Sequence, residues 1–72
     1  MKPKYLYKKY SRNLLNMNEM CAEIGISTSK AYKFFSLYGE KTILKYNLLP
    51  QWKTIGKQRK WHIKQVSKWC ES

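Results

Sequence analysis

The stretch from Asn16 to Phe35 constrains this chain more than any other. Asn16 is a good N-cap, and Glu19 stands three residues later, the spacing of a capping box. Met17, Met20, Cys21 and Ile24 recur at i, i+3, i+4 and i+7, so they share one face of a short helix from Met17 to Ile24. Gly25 follows as a stop that tolerates positive φ. Ile26 is expected to turn inward and lock the turn. Ser27 caps a second helix, expected to run to about Tyr38 and to end at Gly39. Ala31, Phe34, Phe35 and Tyr38 lie on one face of it, facing the first helix. The opposite face holds Ser29, Tyr32, Lys33 and Ser36, flanked by Thr28 and Lys30. Two abutting helices with a short, polar and positive outer face have the layout of a helix-turn-helix.

Charge narrows the partner. The chain has 72 residues, 15 Lys plus Arg against 4 Asp plus Glu, and a formal net charge of +11. Residues 1–12 hold Lys2, Lys4, Lys8, Lys9 and Arg12 with no acid. Residues 53–68 hold Lys53, Lys57, Arg59, Lys60, Lys64 and Lys68, again with none. Self-repulsion on this scale favours a polyanionic partner, nucleic acid first. A membrane is disfavoured, because no apolar run approaches the roughly 18–20 residues of a spanning helix. No apolar stretch of signal-peptide type follows the basic N-terminus.

A chain this short is expected to form one domain with a small core and modest stability. Its hydrophobic content of 43% suits a folded domain rather than a disordered tail. Cys21 and Cys70 belong to no Cys-x-x-Cys pair, and the single His62 completes no zinc set. Buried free thiols are the plain reading, with a disulfide as the alternative. The expected location is a reducing cytoplasm, in association with the nucleoid. No metal or other cofactor is implied.

Residues 1–15 read as a basic, tyrosine-rich arm whose structure the pattern leaves open; Tyr5 and Leu6, or Leu14 and Leu15, are candidates to pack on the domain. Residues 40–49 read as a further helical turn from Lys41 to Tyr46 or as a structured loop, anchored by Leu44, Leu48 and Leu49 and closed by Pro50. Gln51 to Ile55 and Lys60 to Ile63 are β-compatible, with Gly56-Lys57-Gln58-Arg59 as the turn between them. Trp52, Ile55, Trp61 and Ile63 supply the apolar contacts of this hairpin. A last helix from about Lys64 to Cys70 returns Val66, Trp69 and Cys70 to the core. The expected architecture is mainly α with a small two-stranded β wing, a winged helix-turn-helix over residues 16–72 preceded by the arm.

Two stretches, Met17-Asn18-Glu19-Met20-Cys21-Ala22-Glu23-Ile24-Gly25-Ile26-Ser27 with Ala31-Tyr32-Lys33-Phe34-Phe35, and Leu49-Pro50-Gln51-Trp52-Lys53-Thr54-Ile55-Gly56-Lys57-Gln58-Arg59-Lys60-Trp61 followed by Val66-Ser67-Lys68-Trp69, carry a likeness. In these the chain resembles the small phage and mobile-element excisionases and the AlpA-type regulators, which share a MerR-like winged helix. The likeness covers about residues 16–70. Residues 39–47 look longer than the family's usual link, and the arm has no clear counterpart. The resemblance implies that the second helix enters the major groove and that the wing contacts the backbone or minor groove. The reading face would then be Thr28, Ser29, Lys30, Tyr32 and Lys33, and the wing contacts Lys57, Arg59 and Lys60, with Lys53 beside them.

The side-chain chemistry suits those roles. Lys30 and Lys33 donate to guanine O6 and N7, while Ser29 and Thr28 reach bases or phosphates. Lys53, Lys57, Arg59 and Lys60 neutralise phosphates and position the protein. In the arm, Lys4, Lys8, Lys9 and Arg12 suit the backbone, and tyrosines interleaved with them suit stacking on unpaired bases. The plain alternatives are a solvated helix face, a basic tip without a target and a packed or disordered arm. The tryptophans read as core. Glu19 and Glu23 read as a cap and a solvated face, and no nucleophile–base set or phosphate-cradling glycine loop is present, so an enzyme is not expected.

The expected function is a DNA-binding protein of a bacterial mobile element or phage, acting as an excisionase-like architectural factor or transcription regulator. Expected partners are duplex DNA foremost, single strands as the alternative, a recombinase or replication enzyme of the same element, and further copies of the chain on DNA. The rival is a replication accessory protein that binds single-stranded DNA or a polymerase, primase or helicase.

Overall fold

The computed structural model describes residues 3–71, with side chains from Tyr5 onward. The chain runs α1 (Pro3–Tyr10), β1 (Leu14–Leu15), α2 (Met17–Ile24), α3 (Thr28–Lys45), β2 (Lys53–Ile55), β3 (Gln58–His62) and α4 (Ile63–Glu71). It is mostly helical, with a small antiparallel sheet in the order β1-β3-β2.

The first pair of helices forms for the local reasons that the sequence carries. The Asn16 Oδ1 accepts from the Glu19 N–H at 2.8 Å, and the Asn16 N–H donates to Glu19 Oε1 at 3.0 Å. Both bonds satisfy amide groups that a helix start leaves orphaned. At the other end Gly25 takes φ 82°. The Gly25 and Ile26 N–H groups both donate to the Cys21 carbonyl, at 2.9 and 3.1 Å, closing the helix with a left-handed stop. Ser27 Oγ accepts from the Lys30 N–H at 3.1 Å and starts α3.

Gly39 interrupts α3 with φ 79° and ψ 166°, after which the chain resumes helical geometry to Lys45. The expected end at Gly39 is therefore a kink, and the open segment after it is helical. Asn47, at φ 55°, terminates it, with the Leu48 N–H donating to the Ile43 carbonyl at 3.0 Å. The continuation buries Ile43, while Leu44 stays exposed, so Ile43, Leu48 and Leu49 anchor the segment. Two indoles fix its path: Trp61 Nε1 donates to the Pro50 carbonyl at 2.9 Å, and Trp69 Nε1 to the Asn47 carbonyl at 3.0 Å.

The sheet has three strands, not the expected two. Leu14 pairs with His62 and Leu15 with Trp61, so the segment before Asn16 covers the far edge of β3. The hairpin is also tighter than expected. Ile55 pairs with Gln58, leaving a two-residue loop in which Gly56 takes φ 63°. A glycine at the first central position suits the strand twist of such a loop. Gln58 and Arg59 are consequently strand residues rather than turn residues.

The core collects Leu6, Leu15, Met20, Cys21, Ala31, Ile43, Leu49, Trp61, Ile63 and Val66 from nearly every element. Residues of the arm are part of it: Leu6 of α1 and Leu15 of β1 are fully buried, and α1 packs on α4. Two expected contacts are absent. Tyr38 is half-exposed rather than packed on α2, because the kink at Gly39 ends that face of α3, and Ile55 is half-exposed at the open tip of the hairpin. The last helix begins at Ile63, one residue earlier than expected. Cys21 and Cys70 are free thiols, the first buried and the second half-buried. Among the described residues, no helix is long and apolar enough to cross a membrane.

Candidate nucleic-acid interface

Ion pairs separate the basic residues into two sets. Lys9 reaches Glu23 at 3.2 Å, Arg12 pairs with Glu19, and Arg59 reaches Glu40 at 3.0 Å. The Glu23 side chain is nearly buried, and its bond with Lys9 holds the ammonium pKa above its ordinary value. Burial, reinforced by the same carboxylate, raises the Tyr10 phenol. Lys9 and Arg12 thus bind the segment before Asn16 to α2. Lys8 stays exposed on α1, and the side chain of Lys4 lies outside the described residues.

Arg59 occupies a different place from the one its position in a basic turn suggests. Side chains alternate along β3, so Arg59 and Trp61 point to the helix side of the sheet. The guanidinium carbon lies 3.9 Å from the centroid of the Phe35 ring, a cation–π stack, while its nitrogens engage Glu40. Phe35 in turn meets Trp52 edge-on at 5.2 Å. The cluster clamps the hairpin onto both halves of α3.

Lys30, Lys33, Lys53, Lys57 and Lys60 belong to the second set, which has no carboxylate partner among the described residues and also includes Lys8, Lys41, Lys45 and Lys64. Ser29, Lys30, Tyr32 and Lys33 are exposed on the first two turns of α3, and Thr28 is half-buried at its start. Lys30 lies 5.8 Å from the Phe34 ring centroid, which holds its stem against the helix. Ser29, Lys30, Tyr32 and Lys33 line one side of a broad, shallow depression along α3.

Tyr32 connects this face to the hairpin. It also lines a groove of about 430 Å³ with Asn16, Met17 and Asn18 at the start of α2 and with Lys57, Gln58, Arg59 and Lys60 of the hairpin, so Arg59 borders this groove as well as touching Phe35 and Glu40. Tyr32 is thus the place where the exposed face of α3 meets the hairpin cations. Asn16, Asn18 and Gln58 belong to this groove and were not singled out as binding groups by sequence reasoning. Their signal is weak, because a helix-start asparagine reads first as a cap.

The groove carries hydrogen-bond donors, two ammonium groups with no carboxylate partner among the described residues, the Arg59 guanidinium and one aromatic edge, and no carboxylate of the described residues lines it. Such a surface suits phosphate oxygens at its hairpin side and base edges or sugars along α3. Comparison with protein-family models, with characterised proteins and with solved structures gave no match.

Proposed function

We propose that the protein binds duplex DNA as a small, non-enzymatic winged helix-turn-helix. In this reading α2 and α3 are the helix-turn-helix, α3 enters the major groove, and the β2–β3 hairpin is the wing that rests on the backbone. One observation carries it: Tyr32 of α3 meets Lys57 and Lys60 of the hairpin in one groove, and the exposed Lys33 follows Tyr32 directly on the helix. Glu19 and Glu23 hold Arg12 and Lys9, and Glu40 engages Arg59, so Lys57 and Lys60 keep their charge beside Tyr32.

The likeness to excisionases and AlpA-type regulators supports a role on a phage or other mobile element, in excision with a recombinase or in transcription control. Binding to duplex fragments from the protein's own element, followed by fluorescence anisotropy, is the test. A subset of fragments should bind selectively at moderate salt. Lys33→Gln should cost about 1–3 kcal/mol on that subset and little on random duplex. Lys57→Gln with Lys60→Gln should weaken all duplexes alike and flatten the salt dependence by nearly two in log–log slope. Equal weak binding to every duplex would remove the proposal of sequence preference.

A second reading is favoured by Tyr5 and Tyr7, both about half-exposed on α1. They offer stacking surfaces beside Lys8, which suits a replication accessory protein that holds single strands. Tighter binding to a single-stranded oligomer than to its duplex, lost in Tyr5→Ala with Tyr7→Ala, would select it.

A further inference from the structure

The outer face of the sheet is a second cationic surface. Lys53 on β2 pairs directly with Lys60 on β3. Alternation places both on the side of the sheet away from Arg59 and Trp61, together with His62. Like charges directly opposite one another in a sheet are unfavourable, and no carboxylate of the described residues relieves this pair. Lys53, His62 and Lys64 then line a recess of about 320 Å³. That recess shares Gln51 and Gln65 with a neighbouring one, which carries Lys68 and also lacks an acid in its lining. His62 is fixed toward this side, since its Nδ1 accepts the Lys64 N–H at 3.1 Å.

Lys60 also lines the groove beside Tyr32, so the two surfaces meet at the Lys53–Lys60 pair. From this continuity we infer that Lys53, Lys64 and Lys68 hold a second stretch of phosphate backbone, in the same duplex and flanking the segment met by α3 and the hairpin. The inference rests on the duplex-binding reading. It adds a phosphate track over the sheet and the first two turns of α4. The track carries no sequence information, because ammonium groups on phosphates position rather than read. It lengthens the occupied duplex beyond the recognised site.

The test compares a short duplex, limited to the recognised site, with one extended on both sides, for the wild type and for K64Q/K68Q. Circular dichroism first establishes that the variant folds; both lysines are exposed, so the fold should persist. The wild type should show a salt dependence steeper by about two to three in log–log slope on the long duplex than on the short one. The variant, which leaves Lys53 of the hairpin in place, should bind the short duplex as the wild type does and lose most of the extra slope on the long one. Equal slopes on the two lengths for the wild type, or an extra slope that largely survives in the variant, would overturn the inference while leaving duplex binding intact. Capture of a second labelled duplex by protein already bound to an immobilised one would assign the surface to a separate duplex and overturn the flanking assignment. No binding of either length by the wild type would instead remove the underlying reading. If Lys33→Gln has no effect but the slope difference depends on Lys64 and Lys68, the outer face stands and the role of α3 falls.

Discussion

The guanidinium of Arg59 is held between the Glu40 carboxylate and the Phe35 ring, and that placement decides what its removal does. A phosphate ligand would change the salt dependence of DNA binding when neutralised. A clamp would change stability and hairpin position instead. Arg59→Gln should lower unfolding free energy by about 1 kcal/mol, since the pair is partly exposed and discounted by solvent. The log–log salt slope for duplex binding should stay where it is. Glu40→Gln frees the same guanidinium, and a gain in affinity in that variant would show that Arg59 reaches DNA after all. The cysteines offer a second check at this scale. Burial raises both thiols, and Cys21 is almost wholly covered. A thiol reagent should therefore label Cys70 well before Cys21, and Cys21 at the rate of unfolding.

Among the elements, α3 depends on one backbone position. Gly39 adopts φ 79° and ψ 166°, a region that side-chain-bearing residues avoid. A Cβ there would meet open space, so the cost of Gly39→Ala is backbone strain alone, about 1–3 kcal/mol. Urea unfolding measures it, and a variant as stable as wild type would mean that the kink relaxes without loss. Asn16→Ala should cost about 1 kcal/mol through the lost capping box. These two positions also show how far the sequence could be read. The α2–turn–α3 unit was legible because cap, helical period and glycine stop coincide within a short window. The exposed set Ser29, Lys30, Tyr32 and Lys33 followed from helical period alone. The strand β1 was not legible as a strand, since two leucines have no periodicity and their partners His62 and Trp61 lie far along the chain. The contacts of Arg59 with Phe35 and Glu40 were hidden for a related reason. The two-residue loop moves it from turn to strand, and only the register decides which face a strand side chain takes.

At the scale of the whole molecule, stability is tied to pH on the alkaline side. Burial raises the Cys21 and Cys70 thiols above 9.0 and the Tyr10 phenol above 10.0, and the bond to Glu23 raises the Lys9 ammonium above 10.5. In each case the folded protein keeps a proton that the unfolded chain releases. The stabilising contribution is therefore complete below about pH 9 and declines as pH rises through the folded values. Melting temperatures should fall progressively between pH 9 and 11, and Tyr10→Phe with Lys9→Gln should blunt the upper part of that fall. A flat profile across the range would contradict the packing of the α1 end on α2.

The pairing of Leu15 with Trp61 joins residues 46 positions apart. At ordinary translation speeds of about 5–20 residues per second, the ribosome needs roughly 2–10 s to make the intervening chain. Throughout that interval Leu6, Leu15 and Met20 have no finished core to enter. The nascent protein is thus born sticky, and its first escort in the cell is expected to be whatever shelters greasy segments until the last helix emerges.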